Sequence, residues 1–474
     1  MRKRIGKLNV SMIAIILSLA WPTMLEQLMQ TAVQYIDTAM VGTLGTQATA
    51  AVGATTTVNW LINSTISALS VGFLAFIAKA CGANDQPAAK RAASQAVLAV
   101  LVAGIFFTAV TLALSGVIPV WMQVDKSIRE VASRYFFILY IPMLPRAATI
   151  IFGTALRAAG DTKTPMKIGI IVNLINVVLN FLLIYPTRTL TVFDWSFTVY
   201  GAGLGVIGAA IASAIAFTFG GIHITAVLWK HPLVSPKGQK LQPDGEVLRP
   251  CLKVAFPNML QRFGTSLGYV AFASMINALG EIATAAHTIA NTVESAFYIP
   301  GYGMQTAAAT LAGNAYGAQD KKQMKDLAAM FIPIELVLMI ISGAALFVSA
   351  PSLMGIFSNS PEVIALGATV LRMVAVSEPF YGFSIIIEGL MQGVGKTKAP
   401  FVYNIVGMWG IRIIGTYICT QLLSHGLVSA WACMIAHNLL LFILFLICYI
   451  RKQWNPLEIG VPKYSDKAKL HEAQ

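Results

Sequence analysis

The 474-residue chain is 57% hydrophobic and 11% charged, where an ordinary soluble domain carries about 25% charged residues. That balance excludes a soluble globular protein and implies a chain that crosses a membrane many times. The net charge of +13 does not imply a nucleic-acid partner, because the basic residues stand in short connections between apolar runs.

The basic start MRKRIGK leads straight into a long helix, with no small-residue cleavage site, so no cleavable signal is expected. Apolar runs of spanning length recur at 11–40, 50–79, 92–118, 132–157, 165–185, 202–229, 251–278, 284–313, 326–350, 362–391, 400–423 and 427–450. An even number of spans returns both termini to one side. About 25 of the 33 lysines and arginines stand in the N-terminus, the even-numbered connections and the tail, so both termini are expected on the cytoplasmic side of the cell's inner (plasma) membrane. Residues 186–201, PTRTLTVFDWSFTVYG, read as a small hairpin on the outer surface. Residues 230–250 are polar and proline-rich and read as a cytoplasmic linker. They divide an N-terminal six-helix lobe, 1–229, from a C-terminal one, 251–450, and 451–474 forms a cytoplasmic tail. Cys81, Cys251, Cys419, Cys433 and Cys448 are scattered without CxxC or paired histidine spacing, and read as packing thiols.

The two halves are repeats. One constant offset sets Pro22 on Pro257, Met24 on Met259, Gly45 on Gly280, Gly82 on Gly317 and Asp85 on Asp320. Without a gap it brings RAAGDTKTP (157–165) onto QGVGKTKAP (392–400). Six helices per repeat give both halves the same orientation. The expected fold is an all-α integral membrane protein of two parallel six-helix repeats around a central cavity.

The first helix carries Glu26, Gln30, Gln34 and Asp37 at about 0°, 40°, 80° and 20° around its axis. A polar stripe in a spanning helix faces protein or a water-filled cavity. Asp37 corresponds to Phe272 and Glu26 to Gln261, so only the N-terminal half keeps carboxyl groups there. The fifth helix places Asn173, Asn176 and Asn180 on one face, and the sixth offers Ser213 beside the small residues Gly203, Gly205, Gly208 and Ala212. Amide, hydroxyl and carboxylate oxygens suit a hard monovalent cation. In the second half, Gln261, Arg262, Glu294, Glu378 and Arg412 are candidates for the cavity wall, while the mixed signs of Arg262, Glu294, Arg372, Glu378, Glu388 and Arg412, with Glu335, equally suggest ion pairs that neutralise each other. Glu26, Gln30 and Gln34 join that wall from the first half.

The ordered set DTAMVGTLG (37–45), GANDQPAAKR (82–91), LRAAGDTKTP (156–165), LINVVLNF (174–181), GLGVIGAAIAS (203–213), AAHTIANTVESAFYIPGYGMQTAAATLAGNAYGAQ (285–319), EPFYGFSIIIEGLMQGVGKTKAP (378–400) and WGIRI (409–413) resembles the multidrug and toxic compound extrusion (MATE) family over nearly the whole chain. The resemblance implies export of organic cations and drugs in antiport with Na⁺ or H⁺, by alternating access of two lobes. It matches the family's first-helix acid to Asp37 and its fifth-helix asparagine to Asn176. Position 180 is Asn where the family pattern has Asp, so Asp37 is the one carboxyl group among the matched ion-site positions. No cofactor is expected beyond the coupling ion, and no metal beyond Na⁺ at Asp37. A monomer is expected, with small organic cations or drugs and membrane lipid as partners.

Two other classes compete. A flippase for a lipid-linked saccharide needs a basic cavity, whereas the arginines here are offset by Glu26, Asp37, Glu294, Glu378 and Glu388. A membrane enzyme or channel lacks support: no HExxH or G-x-S-x-G stands at a plausible spacing, and no GxxxxGK[ST] cradles a nucleotide.

Overall fold

In the computed structural model, residues 2–121, 124–192 and 195–458 are described; the tail beyond 458 lies outside them. The described chain runs through α1 (Arg2–Gly42), α2 (Thr46–Gly82) and α3 (Gln86–Leu114). The fourth span, α4, is a pair, Arg129–Tyr140 and Met143–Ala158, bent by 50°. Next come α5 (Lys163–Leu183), the antiparallel strands β1 (Pro186–Val192) and β2 (Trp195–Ala202), and α6 (Gly205–Lys230). The second half holds α7 (Gly245–Asn277), α8 (Glu281–Gly317), α9 (Lys321–Phe357), α10 (Pro361–Gly393), α11 (Lys398–Leu422) and α12 (Leu427–Ile450). Among the described residues nine helices are long and apolar enough to cross a membrane, or ten with the bent pair. The long helices α7 and α8 fall short of that apolarity, because Arg262, Glu294, Gln305 and similar groups interrupt them.

The sequence reading expects one helix over 132–157. Pro142 and Pro145 explain the bend, since proline removes a donor and clashes with the turn before it. The sixth helix starts at Gly205, so Gly203 (φ 64°) belongs to the turn ahead of it. α11 contains two π-helical stretches, Val406–Ile413 and Ile418–Leu422, a local widening that often accompanies functional positions.

The repeat holds in backbone detail. α2 and α8 start and stop at equivalent residues, 46 with 281 and 82 with 317. Asn84 and Gln319 share a left-handed conformation, φ 56° and 54°. Asp85 and Asp320 then cap the third helix of each half by accepting from the N–H groups of Ala88 and Gln323, both at 2.9 Å.

The halves meet where small residues allow backbones to touch, the usual device inside a bilayer. A Cβ on Gly82 would strike the Asn314 backbone, and one on the equivalent Gly317 would strike the Lys79 carbonyl. These contacts gather at the basal end of the bundle, which holds the 83–85 and 318–320 turns. Towards the other end the halves touch through side chains: Trp60 lies edge-on to Tyr269, and the Tyr35 hydroxyl donates to the Thr292 carbonyl at 3.2 Å. α1 serves both halves. Ile16 and Ala20 belong to the core built by α8, α9, α10 and α12, while its later turns pack on α5.

Candidate functional site

Asp37 sits about four turns beyond Pro22, partly buried, where α1 meets α5. Asn180 Nδ2 donates to its Oδ1 at 2.6 Å. Asn176, one turn earlier on α5, reaches the same carboxyl group. Amide nitrogen and oxygen are told apart only by their partners, and those of Asn176 favour the turned amide, although its nitrogen then stands 3.2 Å from the Asn180 nitrogen. With its oxygen inward, Oδ1 accepts from Asn180 at 3.2 Å and Nδ2 donates to Ser213 Oγ at 3.0 Å, while that oxygen faces the oxygens of Asp37. With the amide turned, its nitrogen donates to Asp37 at 2.9 and 3.1 Å and its oxygen accepts from the Ser213 hydroxyl at 3.0 Å. The turned form satisfies a bare carboxylate. Asn180 Oδ1 is buried without a partner among the described residues. The Asp37 carboxyl group, the Asn176 amide and the Ser213 hydroxyl thus form one chain of oxygen-bearing groups, ligand types that could hold Na⁺ or a proton, while Asn180 turns its nitrogen to Asp37. Asp37 forms no ion pair among the described residues.

The other end of the stripe is different. Glu26 is 8% exposed and both its oxygens accept from Arg157 Nη2 at 2.7 Å. Gly153 and Gly169 leave the room for that pair. The cavity-wall expectation for Glu26 thus meets a neutralised, buried pair, while Gln30 and Gln34 are exposed. Arg146 is buried as well. It donates to Asn59 Oδ1 at 2.7 Å and lies 4.6 Å over the Phe217 ring, with no carboxylate partner among the described residues.

In the second half the candidate charges are mostly inside the protein. Arg412 lies 4.1 Å over Phe272 and 4.8 Å over Tyr269. Glu294 is buried within reach of its field, without an ion pair among the described residues. Glu378 is 2% exposed and its Oε2 has no partner among the described residues. Glu335 is fully buried against Gly301 and Gly382, with neither oxygen partnered among the described residues. Gln261 donates to Glu388 Oε1 at 2.9 Å, and Arg262 stays partly exposed.

The MatE family profile matches this chain twice, over residues 22–182 and 257–418. The two matches begin at Pro22 and Pro257, the same offset that relates the halves. The chain belongs to the MatE family. It is 26% identical over 440 residues to the "Probable multidrug resistance protein NorM" of Thermotoga maritima, covering 93% of this chain and 92% of that one. It is 25% identical over 420 residues to the "Probable multidrug resistance protein YoeA" of Bacillus subtilis, covering 86% and 87%. Among solved structures it superposes on a crystal structure of MATE in complex with MaL6 with TM-score 0.86, 22% identity and coverage of 94% and 97%. A multidrug resistance MATE family transporter of the MOP superfamily in an outward-facing conformation gives TM-score 0.86, 23% identity and coverage of 94% and 96%.

Four partners in this MatE chain escape a reading of the sequence: Arg157 for Glu26, Asn59 for Arg146, and the Gln392 and Asn404 amides that join Gln261 on Glu388. Applying the repeat offset position by position would expose the last set, because 261, 388, 392 and 404 are the equivalents of 26, 153, 157 and 169.

Proposed function

We propose that this MatE protein is a secondary active exporter of organic cations and drugs, coupled to inward flow of Na⁺ or H⁺ through Asp37. One observation carries the reading. Asp37 is a carboxyl group in the membrane interior whose donors are neutral amides, while its neighbour on the same stripe, Glu26, is already neutralised by Arg157. An uncompensated acid inside a bundle is costly to keep and marks an ion pathway. Asp37, Asn180, Asn176 and Ser213 form one hydrogen-bonded chain, so occupancy at Asp37 is felt by α1, α5 and α6 together. α1 also packs into the core of the second half, which gives the ion a mechanical route to the other lobe. Positive-inside bias supports a cytoplasmic basal end, closed by the α2–α8 glycine crossing, in a cell's inner membrane. Three of the arginines that a pyrophosphate-bearing lipid would need are engaged elsewhere, Arg157 with Glu26, Arg146 with Asn59 and Arg412 with aromatic rings, which leaves Arg262 partly exposed. That distribution favours cationic cargo over a lipid-linked saccharide. The test is transport by purified protein in proteoliposomes with an imposed Na⁺ or pH gradient, one at a time. Uphill export should require one of them and vanish in D37N; export driven equally well with neither gradient would overturn the proposal.

A further inference from the structure

The repeat allows one junction to be read against its twin. In the first half, the acid Glu26 grips the Arg157 guanidinium with both oxygens at 2.7 Å, and Gly153 and Gly169 leave space around them. In the second half the equivalent residues are Gln261 for Glu26, Glu388 for Gly153, Gln392 for Arg157 and Asn404 for Gly169. The acid has moved from the first helix of the repeat to the fourth, and the guanidinium is gone. Glu388 instead accepts from Gln261 Nε2 at 2.9 Å, Gln392 Nε2 at 3.1 Å and Asn404 Nδ2 at 3.3 Å. It forms no ion pair among the described residues and is partly exposed. Tyr302 hydrogen-bonds Tyr381 hydroxyl to hydroxyl at 2.9 Å, and the fields of both Glu388 and Arg262 reach it.

We infer that the Glu388 junction is a cargo subsite for a planar N–H cation, a guanidinium or amidinium group. The first half fills the same place with its own arginine side chain. A carboxylate presents two oxygens in the spacing of a guanidinium edge, and such bidentate, charge-assisted pairs are the strong ones. The amides of Gln261, Gln392 and Asn404 each carry an oxygen that can accept a further N–H group. A cation without N–H groups gains none of these hydrogen bonds. The inference rests on the exporter reading only for the word cargo.

The experiment measures equilibrium binding of phenylguanidinium and of tetraphenylphosphonium, which has no N–H donor, to purified full-length protein in lipid. E388Q should weaken phenylguanidinium binding about tenfold or more, the scale of a lost charge-assisted pair, and leave tetraphenylphosphonium within about twofold. Q392R puts an arginine where Arg157 stands in the first half; it should close on Glu388, block phenylguanidinium to the same degree and raise the unfolding midpoint. Unchanged phenylguanidinium binding in E388Q, or equal loss of both cations, would overturn the inference. If E388Q does not fold, Q392R decides: full phenylguanidinium binding by that variant contradicts it.

Discussion

The two halves share a backbone and differ in where they keep charge. Their second helices, caps and left-handed turns coincide under one constant offset. Yet Asp37 is matched by Phe272, Asn59 by Glu294, and the Glu26–Arg157 pair by the Gln261–Glu388–Gln392 cluster. The frame therefore does not demand any of these charges; a phenylalanine or an amide serves the same helix junction. What the frame does demand is kept in both halves. Small residues stand at the basal crossing, Gly82 with Gly317, and glycine stands where φ is positive, Gly45 with Gly280. Charge in this molecule is assigned lobe by lobe, and Asp37 is an acid that the second half replaces with an aromatic side chain.

The largest structural response should come from breaking the neutral pair. R157A leaves Glu26 buried and unpaired and should cost about 3–5 kcal/mol, seen as a large drop in the unfolding midpoint. E26Q/R157Q installs the residues of the second half and should recover most of that loss. If the double variant is as unstable as the single one, the two junctions are not interchangeable.

The second half's unpaired acids should behave in the opposite sense. Glu335 and Glu378 stand where the first half has the buried Val100 and Met143. Replacing buried ionisable groups by apolar side chains is neutral or stabilising by about 1–4 kcal/mol, so E335V/E378M should hold or raise the unfolding midpoint. A clear loss of stability would mean that the two acids are satisfied by something the protein binds.

The smallest effect tests the symmetry itself. G82A and G317A each push a Cβ into the opposite backbone, an overpacking cost of about 1–3 kcal/mol, and should slow transport to a similar extent by wedging the basal crossing. A strongly unequal pair would show that the crossing is not the shared hinge of both lobes.

Much of this is legible in the residues. The repeat, the helical spans and the β-hairpin follow from apolar runs and a constant offset, because bilayer thickness and backbone satisfaction leave few alternatives. The shared face of Asn176 and Asn180 and the stripe that ends at Asp37 follow from helix periodicity; the bond between Ser213 and Asn176 does not, since a hydroxyl that bonds its own helix is the ordinary expectation. The fate of Glu26 does not, since periodicity says which face a residue occupies and not which arginine, far along the chain, is long enough to reach it. Nor does the burial of Glu294, Glu378 and Arg412: a charged residue on a spanning helix points away from lipid, but a cavity and a packed core satisfy that rule equally. The bend in α4 is written in Pro142 and Pro145 and is a matter of local chemistry.

The central claim is that one carboxyl group, Asp37, binds the coupling ion. It is tested most directly by charge displacement on a solid-supported membrane, recorded when Na⁺ or protons are added without cargo. The parent protein, E388Q and E26Q/R157Q should give a saturable transient with one of the two ions, and D37N none. A transient of full size in D37N would contradict the account.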